Sequence, residues 1–185
     1  MSKSDCHPAL FLDRDGVVNK EVGYISNTSK IVFMQHIFDL CRFFKEKSFK
    51  IVIVTNQSGI GRKIITEDQY MEINSFILKK FEDEKCSIDL ILTSTIDPRD
   101  TKSSQGEIFR RKPNPGLLHE SKFKLDLDLN KSLFIGDNLT DMQAGKSAGI
   151  PSLFLVKEPM IYGDYFESFL DIKSCLVRLS HAFNE

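Results

Sequence analysis

Apolar runs alternate along the chain with segments whose apolar residues recur at helical spacing, which is the pattern of an α/β protein. Five short apolar runs predict strands, at residues 9–12, 51–54, 88–93, 133–135 and 152–156. The segments between them predict helices, at residues 35–47, 66–81, 115–124 and 140–148. Strands that lack polar alternation are typical of a parallel sheet covered on both faces. We therefore expect a central parallel sheet flanked by helices.

Two segments fall outside this alternation. The stretch 95–111 is polar and has no clear period, so we expect a loop there. The tail 164–182 repeats apolar residues at helical spacing, which predicts one C-terminal packing helix. We expect a single domain over residues 1–185, with a core from about residue 9 to 157.

Composition and charge exclude several classes of protein. The 25 Lys and Arg nearly cancel the 26 Asp and Glu, so avid nonspecific binding of nucleic acid is not expected. No apolar run approaches the roughly 20 residues of a membrane span, and the polar start 1–5 is unlike a signal peptide. The four cysteines are far apart in the sequence, whereas a zinc knuckle or a redox pair has closely spaced cysteines, so neither is expected. We expect a cytoplasmic, reduced protein.

Three predicted strands end in polar residues that carry candidate chemistry: Asp13-Arg14-Asp15, Thr55-Asn56-Gln57 and Gly136-Asp137-Asn138. Carboxyl ends of parallel strands border one crevice, so these residues should converge. Asp13 and Asp15 point to the same side of an extended chain. They could bind a divalent cation, act as acid and base, or simply form a turn. A plain N-cap is equally plausible for the polar residues after the fourth strand: Asn138, Thr140 or Asp141.

A phosphate group could be held by the second polar segment and by a cationic triplet. Thr55, followed by Gly59 and Gly61, offers a hydroxyl and closely spaced backbone N–H groups. The segment lacks the Gly-Lys-Ser/Thr ending of a nucleotide-binding P-loop. Arg110-Arg111-Lys112 is by itself most simply a solvated charge run. Carboxylates for Mg²⁺, a hydroxyl, a lysine and a free carboxylate together predict phosphoryl transfer through an aspartyl-phosphate.

The four polar segments resemble, in order, the signatures of the haloacid dehalogenase (HAD) superfamily. They read FLDRDG at 11–16, VTNQSGI at 54–60, RKPNPG at 111–116 and IGD at 135–137. The chain resembles in particular the D-glycero-D-manno-heptose 1,7-bisphosphate phosphatases, whose neighbours include the histidinol-phosphate phosphatases. This resemblance, over about 10–156, implies a Rossmann-like HAD fold. No large insertion follows the first or second signature, so no large cap domain is expected.

The resemblance implies a role for each matching residue. Asp13 would be the nucleophile, and Asp15 would protonate the leaving oxygen and then activate water. Mg²⁺ would be held by the Asp13 and Asp137 carboxylates and by the Asp15 carbonyl. Thr55 and Lys112 would stabilise the transferring phosphoryl group.

The resemblance also implies a set of substrate-binding residues. Arg111 would hold the substrate's second phosphate or a hydroxyl, a task that suits its planar fork of donors. The others would line the sugar pocket: Glu21, Gly23, Tyr24, Asn56, Gln57, Ser58 and Asn138.

The chain departs from the family pattern in the segment before Arg111. Members of this type usually carry a zinc loop, Cys-x-His followed by Cys-x-Cys. The four aligned positions are here Ser94, Ile96, Ile108 and Arg110. None is a thiolate or an imidazole, the side chains that bind structural zinc. We expect no zinc, and a loop over 95–110 that is ordered by other contacts or partly mobile.

The function implied by the resemblance is Mg²⁺-dependent removal of the C7 phosphate of heptose 1,7-bisphosphate, a precursor of the heptose in lipopolysaccharide or capsule. Three alternatives remain open. A histidinol-phosphate phosphatase needs a pocket for a cationic amine, and a polynucleotide 3′-phosphatase is disfavoured by the neutral charge. A scaffold that binds phosphate without catalysis would not need all these residues. We expect a small sugar phosphate as substrate, no membrane partner and a monomer.

Overall fold

The structure, a computed structural model, describes residues 6–183, and these residues form a six-stranded sheet with all pairings parallel. The strands are β1 (Ala9–Leu12), β2 (Lys50–Asn56), β3 (Leu90–Ser94), β4 (Leu133–Gly136), β5 (Ser152–Val156) and β6 (Glu167–Phe169). Their order across the sheet is β3-β2-β1-β4-β5-β6, which places β1 between β2 and β4. This doubly wound, Rossmann-like order confirms the predicted fold class.

Six of the helices within 6–183 lie between successive strands, and the last helix follows the final strand. They are α1 (Ile37–Glu46), α2 (Ser58–Gly61), α3 (Glu67–Asp83), α4 (Gln105–Arg110), α5 (Gly116–Leu125), α6 (Leu139–Ala148) and α7 (Ile172–Ala182). Two single-turn 3-10 helices, Thr28–Lys30 and Leu129–Lys131, complete the regular structure. None of these helices has both the length and the apolar character that crossing a bilayer requires. Residues 1–5, whose polar sequence entered the expectation on localisation, lie outside the described residues.

Hydrophobic layers cover both faces of the sheet. Side chains alternate along a strand, so Leu10 and Leu12 of β1 pack with α1, α3 and α7, whereas Phe11 packs with α5 and α6. The four residues of β1 are completely buried. This two-sided burial explains why the strands are unbroken apolar runs, and it fixes the position of the residue that follows β1.

The tail differs from the prediction of one helix over 164–182. Residues 167–169 form β6, which pairs in parallel with β5, and α7 begins only at Ile172. The Asp171 side chain caps that helix by accepting a hydrogen bond from the Ser174 amide at 2.7 Å. Phe169 packs against Phe154 of β5, with ring centroids 6.1 Å apart. The helical spacing before residue 171 was therefore misleading, because those residues belong to a strand and a turn.

The segment 95–111 contains a helix where a loop was expected. A capping box starts α4: Ser104 Oγ accepts from the Glu107 amide, and Glu107 Oε2 accepts from the Ser104 amide at 2.8 Å. The Ser-x-x-Glu signal is present in the sequence, but the six residues of α4 are too few to show an apolar period.

Candidate active site

The carboxyl ends of β1, β2, β4 and β5 border one cleft of about 500 Å³. The predicted catalytic and metal-binding residues all line it: Asp13, Asp15, Thr55, Lys112 and Asp137. Each of the four acidic or hydroxyl residues follows or ends a central strand, and Lys112 reaches the cleft from the turn before α5. The polar segments that were expected to converge are therefore in one place.

Asp13 lies directly after the central strand β1, and one oxygen of its carboxylate is fixed. Its Oδ1 accepts a hydrogen bond from the Arg14 amide and forms an ion pair with Lys112 Nζ, both at 2.8 Å. No hydrogen bond from residues 6–183 holds the other oxygen, Oδ2. A carboxylate whose one oxygen is held in place while the other is free to react suits the role of a nucleophile.

Lys112 is the cation of this site and is almost completely buried. Its Nζ lies 2.8 Å from Asp13 Oδ1 and 2.6 Å from Asp141 Oδ1, and it donates to the Val54 carbonyl at 2.9 Å. These contacts surround the ammonium group with three oxygen atoms, one hydrogen-bonded and two ion-paired. Burial by itself would lower the pKa of Lys112, but the charges of Asp13 and Asp141 outweigh it and raise the pKa above its usual value. Lys112 is therefore charged and must exchange one partner to reach a phosphoryl oxygen.

Three carboxylates crowd around this lysine. Asp13, Asp137 and Asp141 each offer an oxygen within 4.8 Å of the other two. Burial raises the pKa of Asp13 to about 8, and the charge of Asp141 adds to a shift that Lys112 opposes. Burial, with the charge of Asp141, also raises the pKa of Asp137 to about 6. Burial is the main cause of both shifts, and the three carboxylates also outnumber the two lysines that oppose the shifts, Lys112 and Lys157.

This excess of negative charge fits a hard divalent cation with oxygen ligands. Asp141 has both oxygens engaged, since Oδ2 accepts from the Asn138 amide at 3.0 Å and Oδ1 faces Lys112. All three carboxylates line the cleft, and the oxygens that remain available belong to Asp13 and Asp137, the two residues predicted to bind Mg²⁺.

The Asp15 side chain points away from this acidic cluster. Its carboxylate accepts hydrogen bonds from Arg14 Nη2 at 2.8 Å, Asn19 Nδ2 at 2.9 Å and Gln57 Nε2 at 2.7 Å. In this arrangement Asp15 is an acceptor, as a base that activates water must be. To donate a proton it must first take one up at an oxygen that now faces Arg14 or Gln57.

Known proteins share both the sequence and the fold of this chain. Residues 109–158 match the Hydrolase_like model, a HAD-hydrolase-like family. The D-glycero-alpha-D-manno-heptose-1,7-bisphosphate 7-phosphatase of Campylobacter jejuni is 40% identical over 168 residues, which cover 91% of this chain and 93% of the relative. The chain belongs to the heptose-bisphosphate phosphatase family of the HAD superfamily. Its family is thus one of phosphoric monoester hydrolases.

A second relative supports this family, and a solved structure shows the same fold. The D-glycero-beta-D-manno-heptose-1,7-bisphosphate 7-phosphatase of Yersinia pestis is 36% identical over 151 residues, covering 81% of this chain and 80% of the relative. The structure of D,D-heptose 1,7-bisphosphate phosphatase from B. bronchiseptica, complexed with magnesium and phosphate, has a TM-score of 0.81. It covers 95% of this chain and 99% of that chain at 22% identity, so it supports the HAD fold.

Four of the substrate-binding residues expected from the family line the cleft: Glu21, Asn56, Arg111 and Asn138. Two of them also have structural tasks. Asn56 forms two hydrogen bonds with the backbone of Lys112, to its carbonyl at 3.0 Å and from its amide at 3.2 Å. Asn138 caps α6 by accepting from the Thr140 amide.

The other four expected substrate-binding residues do not line this cleft: Gly23, Tyr24, Gln57 and Ser58. Gln57 is buried and donates to both Asp15 Oδ2 and Thr55 Oγ1. The Tyr24 ring packs on Gly59, and its hydroxyl accepts from Arg62 Nη1 at 2.7 Å. Gly23 donates its amide to Glu21 Oε1, and Ser58 begins α2. Gln57 therefore holds the side chains of Asp15 and Thr55, both predicted to be catalytic, without lining the cleft itself.

Sequence reasoning missed three residues that line the cleft: Thr140, Asp141 and Lys157. Asp141 is 1% exposed and lies four residues after Asp137, a spacing that could have identified it. Lys157 is the first polar residue after β5 and so shares the position, after a buried strand, that identified Asp13.

Gly16 gives the Asp137 carboxylate the space it occupies. A Cβ at Gly16 would lie 2.3 Å from Asp137 Oδ2, and the backbone there has φ +85°. We expect Gly16→Ala to displace Asp137, lower kcat/KM about 100-fold and raise the Mg²⁺ concentration needed for activity. Gly149→Ala is the control, because Gly149 has φ +80° but no atom near its Cβ position. An Mg²⁺ titration unchanged in Gly16→Ala would show that Asp137 does not bind the metal.

Proposed function

We propose that this protein is a Mg²⁺-dependent phosphatase that removes the C7 phosphate of D-glycero-D-manno-heptose 1,7-bisphosphate. The observation that carries the proposal is the position of Asp13, with one oxygen held by Lys112 and the acid Asp137 in the same cleft. The two relatives compared above are named for 7-phosphatase activity on this sugar, one for each anomer. A cleft of about 500 Å³ has the volume of a small-ligand site.

The metal would be held by the carboxylates of Asp13 and Asp137 and by the carbonyl of Asp15. When bound, Mg²⁺ would supply positive charge that draws the phosphate towards Asp13 and offsets the charge of the phosphoryl oxygens. Burial raises the pKa of both carboxyls because it penalises their charged forms, a penalty that a bound cation would offset.

In the first step, the Asp13 carboxylate attacks phosphorus, and the bond between phosphorus and the C7 oxygen breaks. Asp15, once protonated, gives its proton to that departing oxygen, which leaves as the sugar hydroxyl. Thr55 and Lys112 donate to the phosphoryl oxygens, whose charge is greatest in the transition state. Lys112 Nζ is 2.8 Å from the attacking carboxylate and would exchange one of its three contacts for a phosphoryl oxygen.

In the second step, Asp15 takes a proton from a water molecule, which attacks phosphorus while the bond to Asp13 breaks. Inorganic phosphate leaves and the Asp13 carboxylate is restored. The hydrogen bonds from Gln57 and Arg14 keep the Asp15 carboxylate oriented for this proton transfer. Asp15 thus serves in turn as acid and as base.

The substrate experiment compares three phosphomonoesters under identical conditions. Phosphate release is measured from heptose 1,7-bisphosphate, histidinol phosphate and a 3′-phosphorylated oligonucleotide, with Mg²⁺ and with EDTA. The proposal predicts release chiefly from the heptose and only with Mg²⁺. Preferential release from either other substrate, or release in EDTA, would contradict it.

Metal analysis tests the expectation on zinc. The positions aligned with the family's zinc ligands carry no zinc-binding side chain, so we expect no stoichiometric zinc in the purified protein. One tightly held zinc per chain, retained through dialysis against a weak chelator, would show this expectation to be wrong. We also propose that the protein is cytoplasmic, because a doubly phosphorylated sugar is too charged to cross a membrane out of the compartment where it forms. For its oligomeric state we propose a monomer.

A further inference from the structure

We infer that Asp97 is a positioning residue that orients Arg111 towards the anionic group at the far end of the substrate. It does so by fixing the segment 95–111 against the elbow that follows β2, which comprises residues 57–62. The inference rests on the proposed function, since it concerns how a substrate with a second phosphate is held.

Asp97 binds two guanidinium groups with one carboxylate. Arg99 donates through Nε at 3.1 Å, through Nη2 at 2.7 Å and through its backbone amide at 3.1 Å. Arg62 Nε lies 3.2 Å from Asp97 Oδ2, and Arg62 Nη2 donates to Oδ1 at 3.4 Å. Hydrogen bonds from Arg99, together with those from Arg62, hold the pKa of Asp97 well below its usual range. Fork-shaped donors on both oxygens fix the direction of the carboxylate.

The contact with Arg62 links three segments of the chain. Arg62 directly follows α2, and its Nη1 donates to the Tyr24 hydroxyl at 2.7 Å. Beside it, the Gly61 amide donates to the Thr95 carbonyl at 3.0 Å, and a Cβ at Gly61 would lie 2.3 Å from that oxygen. Asp97 therefore ties the segment 95–111 to the elbow after β2 and, through Arg62, to the loop that carries Tyr24.

One peptide connects this link to Arg111. The carbonyl of Ile96, the residue before Asp97, accepts a hydrogen bond from Arg111 Nη1 at 3.2 Å. Arg111 lines the catalytic cleft and also a neighbouring cavity of about 290 Å³, which Asp97 lines as well. If residues 96–97 shift, Arg111 loses the acceptor that orients it. Because Arg62 and Arg99 are both paired with Asp97, neither competes with Arg111 for a substrate anion.

The kinetic test compares Asp97→Asn with Asp100→Asn. Asp100 is an exposed acid of the same segment whose carboxylate accepts a hydrogen bond from the Lys102 amide and forms no ion pair with Arg62, Arg99 or Arg111. We expect Asp97→Asn to raise KM for heptose 1,7-bisphosphate about tenfold, with a smaller change in kcat. The effect on p-nitrophenyl phosphate, which has no second anion, should be at least about fivefold smaller. Asp100→Asn should leave KM unchanged for both substrates.

A double variant that carries both Asp97→Asn and Arg111→Ala tests whether Asp97 acts by orienting Arg111 or only supports the local structure. If Asp97 acts through Arg111, adding Asp97→Asn to Arg111→Ala raises KM for the bisphosphate no further. Multiplying effects in the double variant, or equal losses on both substrates, would overturn the inference. Arg62→Gln breaks the same ion pair from its other side and should reproduce the change in KM.

Hydrogen exchange provides a readout that needs no substrate. Amides of residues 96–100 should exchange faster in Asp97→Asn than in the wild type or Asp100→Asn, and unchanged exchange would overturn the link. A wild-type protein that does not hydrolyse the bisphosphate would overturn the proposed function. If the wild type hydrolyses it and Asp97→Asn leaves KM unchanged, only the role given to Asp97 is wrong.

Discussion

Asp13→Asn is expected to abolish turnover, lowering kcat at least about 10⁴-fold. Asparagine has nearly the same shape as aspartate, but its amide cannot form the bond to phosphorus that the Asp13 carboxylate forms. The Arg14 amide can still donate to the remaining carbonyl oxygen, so the local structure should persist. Single-turnover phosphate release with excess enzyme is the measurement. A residual rate within about 100-fold of the wild type would contradict covalent catalysis by Asp13.

Stability measurements on the same variant control for misfolding. The folded Asp13 carboxyl, with a pKa raised to about 8 by burial, keeps a proton that the unfolded chain has released above pH 4. The metal-free wild type should therefore lose stability as the pH rises from about 4 to 8. Asp13→Asn cannot ionise there, so its melting temperature should fall less between pH 4 and pH 8 than that of the wild type. An equal fall in both proteins would show that Asp13 does not cause the pH dependence.

Lys112→Met is expected to reduce both stability and activity. It leaves the buried acids Asp13 and Asp141 without their cation, and removing one partner of a buried ion pair costs about 3–5 kcal/mol. For a protein of this length the melting temperature should fall by about 10 °C, and kcat by about 100- to 1,000-fold. Mg²⁺ should restore part of the stability, because it supplies positive charge to the same carboxylates.

Lys131→Met is the matched control for Lys112→Met. Lys131 is 72% exposed and forms only a surface pair with Asp128 at 3.5 Å. Its loss should change the free energy of unfolding by less than about 1 kcal/mol and leave kcat unaltered. Equal melting temperatures for the two variants would show that Lys112 does not balance the buried acids.

The five longer strands could be predicted from the sequence because burial on both faces makes each one an unbroken apolar run. β6 could not, since it has three residues and stands in a tail whose apolar spacing is helical. The start of α7 is set by the Asp171 cap, a local contact that outweighs that spacing. Pattern thus located the centre of the sheet and failed at its edge.

The same contrast holds for the active site. Asp13, Thr55 and Asp137 could be found because a polar residue at the carboxyl end of a buried parallel strand borders the cleft there. Which way such a residue turns depends on neighbours remote in sequence. Gln57 was expected to touch the substrate, but Asp15 and Thr55 accept its hydrogen bonds and hold it behind the site. Asp141 caps α6 by accepting from the Asn138 amide, and its contact with Lys112 also joins it to the predicted catalytic residues.

The most direct test of the proposed reaction is ³¹P NMR of D-glycero-D-manno-heptose 1,7-bisphosphate, incubated as each anomer with the protein and Mg²⁺. The phosphate on C7 and the phosphate on C1 give separate signals. The proposed function predicts that the C7 signal disappears as inorganic phosphate forms, that the C1 signal remains, and that EDTA stops the change. Loss of the C1 signal would contradict it, and so would two unchanged signals with folded protein and Mg²⁺ present.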